Sequence, residues 1–288
     1  MKRTPKVCVV IPAKNSSKYL KATLESLKKQ TLTPRLIIVI DDGSKDETSE
    51  IAERSGAKVI KLPDVGYYAT GMPHLAEVIN VGLKESLKHD PDYIMIAGSD
   101  DIFPDFYIEE VIKQIEKTGT VIASGYVINE PWSPGDPRGG GRIIKAKYIK
   151  AIGLYPLNYG WETYHLMKAR SLGLKTRVFP LPFYSQRPSS RNPIKNYYLG
   201  KAMKALGYSL EFAAARFLLL FLKNRKGATL MLKGYFSKVQ KYEDIAHYTR
   251  FIQRKKILQY ILKPHTLFNR LESLLITPKI SRNRENHE

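Results

Sequence analysis

Along the first 130 residues, short unbroken apolar runs alternate with stretches in which apolar residues recur every three or four positions. Val7–Ile11, Leu36–Ile40, Lys58–Leu62, Tyr93–Ala97 and Thr120–Ile128 read as strands, the apolar ones buried on both faces. Between them, Leu20, Leu24 and Leu27 mark one helix, and a second is expected from about Asp46 to Ser55. Pro73 is suited to open a third, which Leu75, Val78, Ile79, Val81 and Leu83 fill; Phe106–Lys117 is a fourth. Strands alternating with helices predict an α/β domain with a mainly parallel sheet.

Residues 130–142 break the pattern with three prolines and four glycines and are expected to form an irregular loop. Loops of that length inside a domain commonly serve function, and Gly139-Gly-Gly141 reads as the hinge of a lid. Helices are expected to resume near Lys145 and after Trp161. From Asn196 onward the chain reads as helix after helix, ending in a polar, frayed tail at Ser281–Glu288. The expected organisation is therefore an α/β domain over residues 1–190 and a basic, amphipathic helical region over 191–288.

Charge sharpens that division. The formal charge is +20 over 288 residues. Residues 1–190 hold 27 Lys+Arg against 21 Asp+Glu, and residues 191–288 hold 20 against 6. A basic helical surface suits polyanions, and its interleaved apolar clusters favour an anionic membrane surface over nucleic acid, for which no recognition module is present. Packing against the α/β domain, with the lysines merely solvated, is the other reading. No segment approaches the roughly 20 apolar residues of a membrane span. The single cysteine, Cys8, excludes an intrachain disulfide and fits a reducing compartment. The expected location is cytoplasmic, peripheral on the inner face of the membrane.

In an open parallel sheet, ligands lie beyond the carboxyl ends of the strands. Pro12-Ala-Lys-Asn15 follows the first strand, Asp41-Asp-Gly-Ser-Lys-Asp46 the second and Gly98-Ser-Asp-Asp101 the fourth. Each acidic pair alone reads as a turn entering a helix. Two pairs at one sheet edge are what a hard divalent cation with phosphate ligands wants. The histidines share no metal-ligand spacing.

Val9-Val-Ile-Pro-Ala-Lys-Asn15, Val39-Ile-Asp-Asp-Gly-Ser-Lys-Asp-Glu-Thr48 and Ser99-Asp-Asp101, in that order and at these distances, resemble glycosyltransferase family 2. The resemblance covers roughly residues 5–190. It implies a GT-A fold and inverting transfer of a sugar from a nucleotide-diphosphate donor, UDP- or GDP-linked, with Mg²⁺ or Mn²⁺. It implies a glycan or lipid-linked acceptor. Pro12, Ala13 and Asn15 match the loop over the donor nucleoside, Asp41 and Asp42 the acidic pair at the base or ribose, and Asn80 an Asn-x-Gly-Leu segment. Asp100 and Asp101 match the metal motif, Asp100 also facing the donor, with Gly98 in place of the usual first aspartate. Glu162 falls where the catalytic base falls, eleven residues before Gly173, with Trp161 in place of the usual glutamate. Arg142, Trp161 and Arg187 match segments that face phosphate or acceptor. Three rival readings stay open: a non-catalytic nucleotide-sugar or glycan-binding protein, a polyprenyl-phosphate sugar transferase, and a sugar nucleotidyltransferase. The last usually carries a glycine-rich loop after the first strand that this chain lacks.

Overall fold

A computed structural model of the chain describes residues 3–68, 71–187 and 193–262. The expected tail at Ser281–Glu288 and the expected boundary at 190/191 lie outside the described residues. The apolar runs become β1 (Val7–Ala13), β2 (Leu36–Asp41), β3 (Lys58–Lys61) and β4 (Tyr93–Ile96), separated by α1 (Ser17–Lys28), α2 (Thr48–Arg54) and α3 (Pro73–Leu87). There follow β5 (Asp101–Ile102), α4 (Tyr107–Thr118), β6 (Thr120–Val127), β7 (Arg142–Lys145), α5 (Ala146–Ile152), α6 (Trp161–Ser171) and β8 (Lys175–Ser185).

The strands form one sheet in the order β3-β2-β1-β4-β7-β6-β8-β5. β3, β2, β1 and β4 run parallel, as does the β6–β8 pair. β7 lies antiparallel between β4 and β6, and β5 antiparallel on β8. The side-chain period of two explains the layering. Val7, Val9 and Ile11 point to the face covered by α1 and α4, where Leu20, Leu24, Leu27, Val111 and Ile115 pack. Val10, Ile38, Ile40 and Ile94 point to the opposite face, covered by α3, α5 and α6.

Three strands depart from the sequence reading, the first being the two-residue β5 where a turn was expected. The end of the expected loop and the start of the expected helix are β7, whose Ile143 and Ile144 are fully buried at the centre of the sheet. β8 was not anticipated, because Pro180 and Pro182 argue against a strand. It tolerates them where its pairing with β6 slips register, with Pro182 opposite Tyr126.

Four helices follow: α7 (Ile194–Ala205), α8 (Leu210–Lys223), α9 (Arg225–Phe236) and α10 (Glu243–Leu262). Ser209 caps α8 by accepting from Phe212 N–H, and Asn224 caps α9 by accepting from Gly227 N–H. α7 crosses α9 at van der Waals contact. A Cβ on Gly200 would strike the Met231 carbonyl, and one on Gly234 the Tyr197 carbonyl. Their core holds Met203, Ala213, Met231 and Tyr235. A second small cluster joins this region to α6: Ala205, Leu206, Tyr242 and Ile245 pack on Tyr159, Tyr164 and Met167. Tyr164 Oη and Lys168 Nζ both donate to Asp244 at that joint. Among the described residues no helix is long and apolar enough to cross a membrane.

Candidate active site

The carboxyl ends of β1, β2 and β4 open onto one edge of the sheet. At its outer end three loops are tied together. Asn15 adopts φ 47°, the left-handed region that asparagine tolerates. Its backbone N–H donates to Ser44 Oγ at 2.9 Å, its Oδ1 accepts from Lys45 N–H, and its Nδ2 donates to Tyr68 Oη at 3.1 Å. Asp42 N–H donates to the Ala13 carbonyl beside Pro12. Lys14 Nζ bridges the Asp42 carbonyl at 2.7 Å and Asp64 Oδ1 at 2.6 Å. The lysine hydrogen bond holds the Asp64 carboxyl at about 2, well below its ordinary range.

The two aspartates after β2 differ in what they face. Asp41 is turned inward: Oδ1 accepts from Ser44 N–H at 2.8 Å and Oδ2 from the Ser49 hydroxyl. Asp42 faces α3, where His74 Nε2 lies 2.8 Å from Oδ1 and Nδ1 lies 3.1 Å from Glu77. Burial opposes the His74 charge, but the hydrogen bonds and fields of Asp42 and Glu77 outweigh it and raise its pKa. His74 was not anticipated. The signal available was its place directly after Pro73, at the start of a helix that begins on the ligand edge of the sheet.

Past β4 the chain turns through Gly98-Ser-Asp-Asp101. Asp101 is buried, and its Oδ2 accepts from Gly98 N–H at 2.8 Å. Desolvation, reinforced by the neighbouring Asp100 charge, pushes its carboxyl up to about 7. Asp100 keeps its carboxylate at the surface. Ser185 Oγ donates to its Oδ2 at 3.4 Å, and Arg187 Nε lies 3.8 Å from the same oxygen. The Arg187 guanidinium lies over the Tyr19 ring at 5.0 Å, and its Nε is buried without a hydrogen-bond partner.

Glu162 sits in the first turn of α6, behind Gly160 at φ 76°. Its Oε1 accepts from Arg142 Nη2 at 3.0 Å. Arg142 is 1% exposed, and its other donors are committed to the Pro137 and Arg138 carbonyls and to Tyr155 Oη. Burial works against the Arg142 charge, and Tyr155 and Glu162 more than restore it, so the guanidinium stays protonated.

The glycine-rich loop brings these carboxylates together. A Cβ on Gly139 would lie 2.5 Å from Glu162 Oε1, and a Cβ on Gly140 would collide with Asp101 Oδ2. Neighbouring Cα atoms are about 3.8 Å apart, so the two carboxylates flank one step of bare backbone. The loop is held at both ends. Tyr107 Oη donates to the Gly141 carbonyl, and Ser124 Oγ accepts from Arg138 N–H. The triplet expected as a hinge is, in this structure, where the loop crosses the two carboxylates.

The structure therefore gathers Asp100, Asp101, Glu162 and Arg187 around one mouth, with Pro12, Ala13, Asn15 and Asp42 at its outer end. It turns Asn80, Trp161 and Arg142 inward. Asn80 exchanges both amide hydrogen bonds with the Tyr155 backbone, and Trp161 Nε1 donates to the Met72 carbonyl. Among the described residues no three His, Cys, Asp or Glu side chains converge as a metal cage.

The sequence profile of Glycosyl transferase family 2 matches residues 8–175, more than half of the chain. The chain belongs to this family. Among its family 2 relatives is glycosyltransferase GlyG of Streptococcus pneumoniae, 29% identical over 135 residues, which are 45% of this chain and 42% of GlyG. The chain spans about half the length of the curated relatives it matches. The family 2 fold, GT-A, is also that of solved structures. S. aureus TarS in complex with UDP superposes with a TM-score of 0.54 at 21% identity, over 76% of this chain and 73% of that one. The mannosyltransferase PcManGT from Pyrobaculum calidifontis, in complex with GDP-Man and Mn²⁺, gives 0.56 at 14% identity over 95% and 86%.

Proposed function

We propose that this chain is an inverting glycosyltransferase, with residues 1–190 as the nucleotide-sugar-binding catalytic domain. One observation carries the reading: Gly139 and Gly140 set the Glu162 carboxylate one backbone step from the Asp101 carboxylate, beyond the end of β4. The TarS and PcManGT complexes, with UDP and with GDP-Man, support a nucleotide-sugar donor.

Asp42, Asn15 and the Pro12–Ala13 turn would receive the nucleoside. Asp100 is the residue that would hold Mg²⁺ or Mn²⁺, because Asp101 is buried against Gly98 N–H and Asp100 alone of the pair faces out. One or two carboxylates with substrate phosphates are a common donor set for such ions, and the orphan Arg187 Nε beside Asp100 suits the same phosphates. When bound, the ion would offset charge on the departing diphosphate. Asp101 fixes the turn that aims Asp100.

Glu162 acts as general base. Arg142 binds Oε1 and sets the carboxylate's direction, leaving Oε2 for the acceptor hydroxyl. The hydroxyl proton passes to Glu162 while its oxygen bonds to the anomeric carbon. The bond from that carbon to the diphosphate breaks on the opposite face, and the nucleotide leaves with the electron pair. The acceptor is a glycan or a lipid-linked glycan. The helical region, 191–288, serves a peripheral position on the inner face of a membrane.

Glu162→Gln tests this reading. Turnover is expected to fall about 10²–10⁴-fold, with UDP or GDP binding by calorimetry in Mn²⁺ unchanged. Unchanged turnover removes Glu162 as base. Metal-dependent nucleotide binding without any transfer by the wild type favours the non-catalytic binding protein.

A further inference from the structure

Nothing in the sugar chemistry accounts for α8. Its sequence, Leu-Glu-Phe-Ala-Ala-Ala-Arg-Phe-Leu-Leu-Leu-Phe-Leu-Lys, is the most apolar of the helices, yet Ala213 is its only buried residue. Leu210, Ala214, Leu218, Phe221 and Leu222 are exposed at helical spacing on its outer face; exposed Glu211 shares that face in the first turn, and from Ala214 to Leu222 the stripe is apolar. Leu218 is 58% and Leu222 65% exposed. The outer face of a surface helix is ordinarily its polar one, and a continuous apolar stripe marks an interaction surface.

The rim identifies the partner. Lys223, Arg225 and Lys226 are exposed at the corner between α8 and α9, and the Arg225 guanidinium lies 5.5 Å from the Phe221 ring centroid. On α10, Arg250, Arg254, Lys255 and Lys256 are exposed together with Phe251. Residues 191–288 carry a net +14, so a second copy of this face would be repelled. A lipid surface accepts an apolar helix face at the acyl boundary while lysine and arginine reach up to anionic headgroups.

We infer that α8 is an interfacial membrane helix, lying flat on an anionic bilayer with Leu218, Phe221 and Leu222 inserted and the Lys223–Lys226 corner on the headgroups. This deepens the membrane position proposed for residues 191–288 and rests on the transferase reading only in its purpose. α7 connects the docked face to the chemistry, since Ala202 and Leu206 pack on Gly160 at the start of the Glu162 helix. Docking would hold the acceptor mouth in a fixed relation to the membrane.

The test is co-sedimentation of the full chain with vesicles of phosphatidylcholine alone or mixed with phosphatidylglycerol. Binding is expected to the mixed vesicles, weakened by salt, and reduced about tenfold or more by Leu218→Ser/Leu222→Ser. The substituted side chains are exposed, so melting temperature and nucleotide binding should stay at wild-type values. That separates failure of docking from failure of the transferase reading. No binding of wild type to mixed vesicles overturns the inference, as does equal binding by the variant. A dimer in sedimentation analysis that the same variant disperses assigns the face to a second copy and overturns it too.

Discussion

Val7–Ile11 and Phe217–Leu222 are both unbroken apolar runs. In β1 the run lies between two parallel neighbours and under two helical layers, and no residue from Val7 to Ile11 exceeds 1% exposure. In α8 the run keeps one side on α7 and α9 and shows the other to the outside. An apolar run states that a surface is better covered than wet. It does not say whether the cover belongs to the same chain. A strand is covered through backbone pairing that the fold itself supplies. A helix satisfies its own backbone, so its outer face is free to wait for something else.

This contrast can be broken by experiment. The largest effect is expected in the sheet. Ile94→Ala should cost about 2–5 kcal/mol in urea unfolding, whereas Leu218→Ala should stay within about 0.5 kcal/mol. Comparable losses would mean that α8 is as well covered as β4.

The next effect is acid sensitivity at the joint between the two regions. His165 is buried among Tyr148, Tyr155 and Tyr164, and desolvation lowers its pKa to about 4 from an ordinary 6.5. The unfolded chain takes this proton first, so the contribution is complete above pH 6.5 and is lost as pH falls toward 4. Its size is about 3 kcal/mol. Asp101, raised to about 7, works in the opposite direction over the same window, because there the folded form holds the extra proton. The His165 share is therefore the difference between wild type and His165→Phe in unfolding experiments across pH 4–7. Parallel pH curves would remove it.

The smallest effect concerns the helical region alone. Gly200→Ala places a methyl on the Met231 carbonyl and should cost about 1–3 kcal/mol. If the region unfolds separately, calorimetry shows an earlier transition for α7–α9 with the sheet's transition unmoved. A single shifted transition would show one cooperative unit.

The strands and the strand-end carboxylates were legible because burial on two faces and a ligand edge leave one-dimensional marks: apolar runs followed by Asp-Asp. β8 was hidden by two prolines that its slipped register accommodates. β7 was hidden by the glycines in front of it. The same limit applied to site residues. The family resemblance pointed to Arg142, Asn80 and Trp161, but side-chain direction depends on what packs around them, and all three turn inward. Asp100 and Asp101 differ in burial, which adjacent identical letters do not encode. His74 joins the site through a contact 32 positions away in sequence.

The crossing at Gly139–Gly140 also bears on how this chain could diversify. Each of these positions is already filled, in space, by a carboxylate oxygen from another segment. A side chain added there would displace Glu162 Oε1 or Asp101 Oδ2 from the place it holds in this structure. Residues 131–135 carry no such constraint: Trp132, Ser133 and Pro134 are exposed. Substitution in that half of the loop can thus leave the crossing in the other half undisturbed.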